Sequence, residues 1–114
     1  MRWTALFIAL WPTLAPAGGW EPLDGPGIAD ALTARVLAYS ATATTTAAMQ
    51  DFFADGRTLY NDQWGRWEVR GDRYCSTWPP SDRWSCFAVA RLGLDIRFTS
   101  DGGEVSIGRY ADLN

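Results

Sequence analysis

The sequence contains no histidine and no lysine, and it has only two cysteines. Histidine and lysine are the usual general bases and Schiff-base formers of enzymes, so the common acid–base and covalent mechanisms lack a candidate residue. Two cysteine sulfurs without histidine are too few ligands for a tetrahedral zinc site. No serine stands in a Gly-x-Ser-x-Gly nucleophile elbow either. We therefore expect no metal, no cofactor and no catalytic residue that the sequence alone identifies.

Positive charge is also scarce. The 114 residues include 10 arginines against 13 acidic side chains, which gives a formal net charge of -3. Proteins that bind nucleic acids need an excess of basic side chains to neutralise phosphates. The charge balance therefore excludes nucleic acid as the expected partner.

No apolar run is long enough to cross a membrane comfortably. The first 20 residues, MRWTALFIALWPTLAPAGGW, combine one arginine, an apolar stretch broken by prolines, and an Ala-Pro-Ala site. This order is typical of a secretory signal peptide, with a retained anchor as the alternative. We predict that residues 1–17 are a cleaved signal peptide. Residues 18–114 then form one domain in the periplasm or outside the cell, with no stable membrane span after cleavage.

The 13 acidic residues are the remaining candidates for catalysis, as a carboxylate pair in a hydrolase. Asp72, Asp82 and Asp101, however, lie in predicted turns, where aspartate is favoured because it hydrogen-bonds its own backbone. No pair of carboxylates stands out from the pattern. We therefore expect a non-enzymatic protein and keep a carboxylate-based hydrolase as a second alternative.

One short helix is predicted near the start of the mature chain, over LDGPGIADALTARV. Asp24 can cap this helix, and Ile28, Leu32 and Val36 recur at a spacing of four, which gives one apolar stripe. The following SATATTTAAMQ consists largely of small and β-branched residues. We interpret it as a loop or a weak edge strand.

From Gln50 onward, short segments with period-two alternation are separated by turn residues at close intervals. This pattern predicts an antiparallel meander of about six or seven strands. The fold class is therefore mainly β, with one N-terminal helix. Because a flat sheet would leave its aromatic face in water, we expect the sheet to curl over the helix or to close partly into a barrel.

Tight turns predict which residues lie opposite each other. A two-residue Gly-Asp turn places Val69 opposite Tyr74, and the four-residue turn with the double proline places Tyr74 opposite Phe87. Two further turns place Phe98 opposite both Phe87 and Val105. All four turns agree on one apolar face, a candidate core or pocket made of Trp67, Val69, Tyr74, Phe87, Val89, Ile96, Phe98, Val105 and Ile107.

The same register places Cys75 directly opposite Cys86 on neighbouring strands, a separation that a disulfide can span. Export to an oxidising compartment favours this bond, whereas a redox pair would more naturally use a close Cys-x-x-Cys at a helix start. We predict a structural disulfide that stabilises the fold by about 3 kcal/mol on the chain-entropy model.

The opposite face of the sheet is mostly polar and is expected to meet water. Trp78 is predicted at the hairpin end opposite Arg83, and Trp84 beside the disulfide opposite Thr77. Such aromatic side chains can stack on a sugar ring or a partner's side chain, although local packing and cation–π contacts would also explain them. The first functional hypothesis is a non-enzymatic interaction domain for an unknown envelope protein or glycan, with a candidate surface made of Trp78, Arg83, Trp84, Arg66, Glu68, Arg70 and Arg97.

The first alternative is a lipocalin-like carrier that holds a small ligand between helix and sheet, in a pocket lined by Trp67, Tyr74, Phe87 and Phe98. An interior cavity of roughly 300 Å³ or more would favour the carrier, whereas a filled core with an exposed Trp84 would favour the interaction surface. A hydrolase would need two carboxylates that converge in a cleft, at least one of them with a raised pKa.

Residues 55–86, DGRTLYNDQWGRWEVRGDRYCSTWPPSDRWSC, carry a dense set of motifs: Asp-Gly-Arg-Thr-x-Tyr, Trp-Gly-x-Trp, Gly-Asp-x-Tyr-Cys-Ser-x-Trp-Pro-Pro-Ser and Trp-x-Cys. In these motifs the chain resembles a family of small exported proteins of Gram-negative bacteria. The resemblance implies export and a compact β-domain, and it implies no activity.

Members of that family are sometimes labelled dihydrodipicolinate reductase, a label that the residues here do not support. The nearest approach to a dinucleotide fingerprint is Gly25-Pro26-Gly27. Asp30 stands at the third glycine position, and no predicted strand precedes the motif as a βαβ unit requires.

Overall fold

The structure is a computed structural model that describes residues 19–43 and 46–113. The predicted signal peptide, residues 1–17, lies outside the described residues. The described elements follow each other in this order: β1 Glu21–Pro22, α1 Gly25–Leu32, β2 Arg35–Tyr39, β3 Ala48–Phe52, β4 Arg57–Tyr60, β5 Gln63–Arg70, β6 Arg73–Thr77, β7 Ser85–Leu92, β8 Asp95–Ser100 and β9 Val105–Tyr110.

Strands β2 to β9 form a closed antiparallel barrel of eight strands. Each strand pairs with the next one along the chain, and β9 pairs back onto β2 with Leu37 opposite Tyr110. The short strand β1 is an addition to the barrel and pairs with the end of β7. The predicted mainly β meander with one N-terminal helix is confirmed. Closure is complete because β2, which the sequence pattern did not reveal, removes the free edge of β9.

The helix α1 is shorter than predicted. Asp24 caps it as expected, because its carboxylate accepts the N–H of Gly27 at 2.8 Å. The helix ends at Leu32, and Ala34 then adopts a left-handed conformation with a φ of 61°. The prediction that Val36 continues the helical stripe was wrong, since this residue belongs to β2. Pairing of β2 with both β3 and β9 outweighs the local helical pattern.

The strand β1 precedes α1, contrary to the sequence-based expectation, but it creates no nucleotide-binding unit. In a βαβ unit the two strands are parallel members of one sheet. Here β1 pairs antiparallel with β7, and β2 pairs with β3 and β9. The glycine pair in α1 therefore lacks the context of a dinucleotide fingerprint.

The hairpins from β5 to β7 have the predicted register. Val69 lies opposite Tyr74, and Tyr74 lies opposite Phe87. Cys75 lies opposite Cys86, and the two residues form a disulfide with their Cα atoms 4.0 Å apart. The predicted disulfide is therefore confirmed. It joins β6 and β7 on the outer face of the barrel.

The β7–β8 hairpin is shifted relative to the prediction. Its turn consists of Gly93 and Leu94. Val89, and not Phe87, therefore lies opposite Phe98. The turn lies one residue further along the chain, so the partner of each residue changes by two positions. A change of two positions keeps the apolar faces of both strands toward the barrel interior.

The β8–β9 hairpin corrects the predicted core. Phe98 lies opposite Ser106 rather than Val105. A register error of one residue moves every side chain of a strand to its other face. Val105 and Ile107 are accordingly 53% and 46% exposed, so their assignment to the core was wrong. Gly108 takes an interior position on β9 instead.

The helix covers one end of the barrel, which we call the closed end. Its side chains Ile28 and Leu32 are fully buried in the core. The hydroxyl of Tyr110 donates to the carbonyl oxygen of Ala31 at 2.6 Å, near the end of the helix. At its start, the N–H of Gly25 donates to the Asp72 carboxylate at 2.8 Å. Both helix ends are thus anchored, and the core continues into the barrel through Leu37, Phe52, Trp67, Tyr74, Val89, Ile96 and Phe98.

Candidate functional site

The barrel end opposite α1, which we call the open end, is formed by residues 40–43, 46–47, 61–62, 78–84 and 101–104. A cavity of about 350 Å³ opens here and reaches into the barrel. This volume lies within the range of pockets that bind small molecules.

Aromatic rings and uncharged polar side chains line the cavity. The Tyr74 ring occupies a central position, with its centroid 5.2 Å from that of Phe98 and 5.9 Å from that of Phe87. The other aromatic lining residues are Tyr39, Tyr60 and Trp78. The small, polar and aliphatic lining residues are Ser40, Thr42, Thr46, Gln50, Ser76, Val105, Ser106 and Ile107. No arginine, aspartate or glutamate is among these described lining residues.

Two glycines make room for aromatic rings at the open end. A Cβ on Gly65 would lie 2.5 Å from Cε3 of Trp78, and a Cβ on Gly108 would lie 2.9 Å from Cε1 of Tyr39. The two rings can therefore lie across β5 and β9 because these positions carry no side chain. Trp78 also meets the Tyr60 ring edge-on, with the centroids 6.0 Å apart.

A network of uncharged hydrogen-bonding side chains lies beside these rings, with the buried Gln50 at its centre. The amide nitrogen of Gln50 donates to the hydroxyl of Thr58 at 3.0 Å and to that of Tyr74 at 3.2 Å. Its amide oxygen accepts from the hydroxyl of Tyr39 at 2.8 Å. The hydroxyl of Thr58 donates in turn to the carbonyl oxygen of Asp51 at 2.8 Å. Gln50 thus uses both amide hydrogens and its oxygen, as a stable buried network requires.

The two phenols of this network are neutral at physiological pH. Burial raises the pKa of Tyr39 well above its usual value, and the nearby Tyr74 and Tyr60 add to this effect. Burial also raises the pKa of Tyr74, against hydrogen bonds from Ser76 and Gln50 that oppose the shift. A ligand in the cavity would therefore meet no ionised side chain.

Three of the four residues predicted to line a ligand pocket border this cavity, namely Tyr74, Phe87 and Phe98. The fourth, Trp67, lies deeper in the core, where its indole N–H donates to the carbonyl oxygen of Phe53 at 3.0 Å. The remaining candidate residues of the predicted apolar face lie in or against the core, namely Val69, Val89 and Ile96, or at the cavity mouth, namely Val105 and Ile107.

The residues predicted as an interaction surface lie only in part on one face, with Glu68 and Arg70 together on the outer face of β5. Trp78 turns toward the cavity, and not toward Arg83 as predicted. The guanidinium of Arg70 lies over the ring of Trp84, 4.4 Å from its centroid, and Arg70 also pairs with Glu68. Trp84 is therefore half-buried by local packing.

Of the other arginines in that set, Arg66 shares the outer face of β5 with Arg70, whereas Arg97 lies on β8. The guanidinium of Arg97 lies 4.8 Å from the ring centroid of Trp20. Arg66 and Arg83 are exposed to solvent. Local cation–π contacts thus account for Trp84 and Arg97, which was the structural alternative to a binding surface.

Tyr39, Gln50 and Tyr60 were not identified from the sequence, although they line the cavity. On β3, Ala48, Gln50 and Phe52 are buried and alternate with exposed or half-buried neighbours, but the sequence Ala-Met-Gln-Asp-Phe does not show this as an alternation of apolar and polar residues. The low-complexity threonine and alanine run before β3 gives no strand pattern either. Tyr39 follows a segment that the sequence pattern assigned to the helix.

Two carboxylates have shifted pKa values, and both values are lowered. Hydrogen bonding by the backbone N–H of Arg57 lowers the pKa of Asp55, and hydrogen bonding by the Arg35 side chain lowers the pKa of Asp112. Both shifts are opposite to the raised pKa of a general acid. Within residues 19–43 and 46–113, no group of three or more cysteine or acidic side chains could hold a metal ion. No helix in the same part of the chain is long and apolar enough to cross a membrane.

The chain was also compared with known proteins. No family model, no curated protein and no solved structure matches it significantly. The geometry of the cavity therefore has to carry the functional argument.

Proposed function

We propose that the protein is an exported, non-enzymatic binder of a small molecule, which it holds in the cavity at the open end of the barrel. The observation that carries this proposal is the cavity of about 350 Å³, lined by aromatic rings. A filled barrel would instead have supported the interaction-surface hypothesis. Aromatic walls with a few placed polar groups are typical of ligand pockets.

The difference between the barrel ends supports the same proposal. The core at the closed end is filled by Ile28 and Leu32, which are fully buried. The open end carries Ser76 and Ser106 at positions that face the interior, where large apolar residues would fill the space. This arrangement leaves space at the open end that protein side chains do not fill.

Export is supported by two features. The N-terminal sequence has the order of a signal peptide, and the Cys75–Cys86 disulfide is typical of proteins in oxidising compartments. We therefore place the ligand encounter in the periplasm or outside the cell. An envelope protein or glycan bound at the hairpin tip has weaker support, since Trp84 is covered by Arg70 and Trp78 faces the cavity.

A blocked cavity tests the proposal. Ser106 faces the barrel interior opposite Phe98, so Ser106→Phe would place a ring in the cavity mouth. Ala88→Phe adds the same ring at an exposed position on the outer face of β7 and is the matched control. The probe is N-phenyl-1-naphthylamine, a neutral molecule whose fluorescence rises in apolar sites.

We expect the unmodified protein and Ala88→Phe to bind the probe with the same affinity within twofold. Ser106→Phe should bind it at least tenfold more weakly, while native mass spectrometry and thermal unfolding report a folded, disulfide-bonded protein. Equal binding by the two variants, or no binding by the unmodified protein, would contradict a ligand site in the cavity. Native mass spectra of protein isolated from cell envelopes would show whether a natural ligand copurifies.

A further inference from the structure

The hydrogen-bond network has a fixed direction because it ends on a backbone carbonyl. Thr58 is fully buried, and its hydroxyl donates to the carbonyl oxygen of Asp51 at 2.8 Å. A carbonyl oxygen can only accept a hydrogen bond, so the single hydroxyl proton of Thr58 is used in the bond to Asp51. The Thr58 oxygen must then accept from its neighbour Gln50.

The hydrogen bond from Thr58 to Asp51 determines the orientation of the Gln50 amide. The atom of Gln50 that faces Thr58 must be the nitrogen, and its second hydrogen is donated to the oxygen of Tyr74 at 3.2 Å. The amide oxygen of Gln50 is left to face Tyr39, which donates to it at 2.8 Å. The hydroxyl proton of Tyr39 is therefore used in the bond to Gln50, and the Tyr39 oxygen can only accept a hydrogen bond from a molecule in the cavity.

Tyr74 is in the opposite situation. Its oxygen accepts from Gln50, so its own proton points away from the network. Ser76 lies two residues further along β6, on the same interior face as Tyr74, and both residues line the cavity. Two hydroxyl groups carry two protons, and a bond between the two groups would use only one of them. The Tyr74–Ser76 pair therefore has one O–H left over, and the cavity is where it can find an acceptor.

The charges around the cavity restrict the ligand further. No arginine stands among the described lining residues to pair with an anion, and no carboxylate to pair with a cation. Moving an unpaired charge out of water costs several kcal/mol. Aromatic rings can hold a cation, but here the free O–H would point its positive end at that cation.

We infer that the cavity takes an uncharged, mainly ring-shaped apolar molecule with one oxygen acceptor, which receives a hydrogen bond from the Tyr74–Ser76 pair. This inference rests on the proposed function and names its ligand class. It assigns different roles to two phenols of the same cavity. Tyr74 belongs to the pair that donates to the ligand, whereas Tyr39 donates to Gln50 and can only accept from the ligand.

Four naphthalenes of similar size test the ligand class by isothermal titration calorimetry at neutral pH. They are 2-acetylnaphthalene with a carbonyl acceptor, 2-ethylnaphthalene without one, anionic 2-naphthoate and cationic 2-naphthyltrimethylammonium. One hydrogen bond corresponds to a tightening of about fivefold to tenfold. We therefore expect the ketone to bind about fivefold to tenfold more tightly than the hydrocarbon. Both ions should bind at least tenfold more weakly than the hydrocarbon.

Two variants test the assignment of roles. In Tyr74→Phe/Ser76→Ala, the donor pair is removed, so the ketone should lose its advantage while 2-ethylnaphthalene binds within about twofold of its original affinity. In the matched Tyr39→Phe, the ketone should keep its advantage because the lost oxygen only accepted from the cavity. If the double variant does not fold, the four ligands still test the ligand class on the unmodified protein, and Tyr39→Phe still tests the direction of the network.

The outcomes separate the two proposals. Failure of all four naphthalenes and of N-phenyl-1-naphthylamine to bind would overturn the proposed function and this inference with it. Binding in which the ketone has no advantage over the hydrocarbon, or in which either ion binds most tightly, would overturn the inference alone. Loss of the ketone advantage in Tyr39→Phe would overturn the assigned direction of the network.

Discussion

The two ends of the barrel are built from the same eight strands but filled differently. At the closed end, α1 inserts Ile28 and Leu32, and hydrogen bonds hold it at both termini. At the open end, loops connect the strands, and the interior carries rings, hydroxyl groups and a cavity. An eight-stranded barrel is just wide enough for side chains to fill or for one small ligand to enter. The size of the inward side chains therefore decides whether each end contributes to stability or to binding.

The largest effect on this contrast is expected from the helix. Leu32→Ala at the closed end should lower the free energy of unfolding by about 3.5 kcal/mol, because it removes buried methyl groups and leaves a cavity. Leu94→Ala is the control, since Leu94 is 44% exposed in the β7–β8 turn and should cost less than about 1 kcal/mol. Urea unfolding at neutral pH measures both values. Similar losses for the two variants would mean that α1 does not form the core of the closed end.

The disulfide stabilises the β6–β7 hairpin, whose connection reaches the open end. Replacing both cysteines, as Cys75→Ala/Cys86→Ala, should cost about 3 kcal/mol, because the bond closes a short loop in the unfolded chain. Urea unfolding with and without reductant gives the same comparison on the unmodified protein. Mass spectrometry that finds two free thiols in the protein isolated from its native source would contradict the role of this bond.

A smaller difference in stability is expected when one tyrosine hydroxyl group is removed at each end of the barrel. Tyr110→Phe removes the buried donor to the Ala31 carbonyl at the closed end and should cost about 1–2 kcal/mol, since the carbonyl is left without this partner. Tyr60→Phe removes a hydroxyl at the open end from a residue that is 36% exposed, and should change stability by less than about 0.5 kcal/mol. Equal costs measured by urea unfolding would remove the energetic distinction between the two ends.

The smallest effect depends on pH. Arg35 donates two hydrogen bonds to Asp112 beside the start of β2, at 3.0 and 3.2 Å, and these bonds lower the pKa of Asp112. A lowered folded-state pKa stabilises the protein above the unfolded value of about 3.9, and this contribution is lost as the pH falls through the folded-state pKa. Asp112→Asn should therefore cost up to about 1 kcal/mol at neutral pH.

Thermal unfolding at several pH values checks this sign. The difference between the unmodified protein and Asp112→Asn should shrink as the pH falls below about 4. Asp62→Asn is the control, because Asp62 is an exposed turn residue at the open end. A pH-independent cost of Asp112→Asn would show that the charge of Asp112 does not contribute.

Much of the hairpin structure could be predicted because turns act locally. The Gly71-Asp72 turn correctly placed Val69 opposite Tyr74, and the cysteines followed from the next hairpin. The same reasoning failed at β9. The sequence of the Ser100–Glu104 connection does not show how many residues separate the paired positions of β8 and β9. One residue of error there moved Val105 and Ile107 to the other face of the strand.

The cavity could be predicted only in part. Tyr74, Phe87 and Phe98 follow from alternation along single strands, and they do line it. Trp78 was expected to lie outside, beside Arg83. Its position depends on Gly65, which belongs to another strand and leaves room for the indole. A contact of this kind is decided by two distant segments and has no signature in either of them alone.

The sequence by itself determined the mainly β class, the Asp24 cap, the central hairpin register and the disulfide, because these features depend on neighbouring residues and short turns. The tertiary structure alone decided where α1 ends, how β9 is registered and that the barrel closes between Leu37 and Tyr110. Those features depend on pairing between segments far apart in the chain, which outweighs local propensity. The open cavity results from that closure, because only a closed barrel brings Tyr39 and Gln50 beside Tyr74.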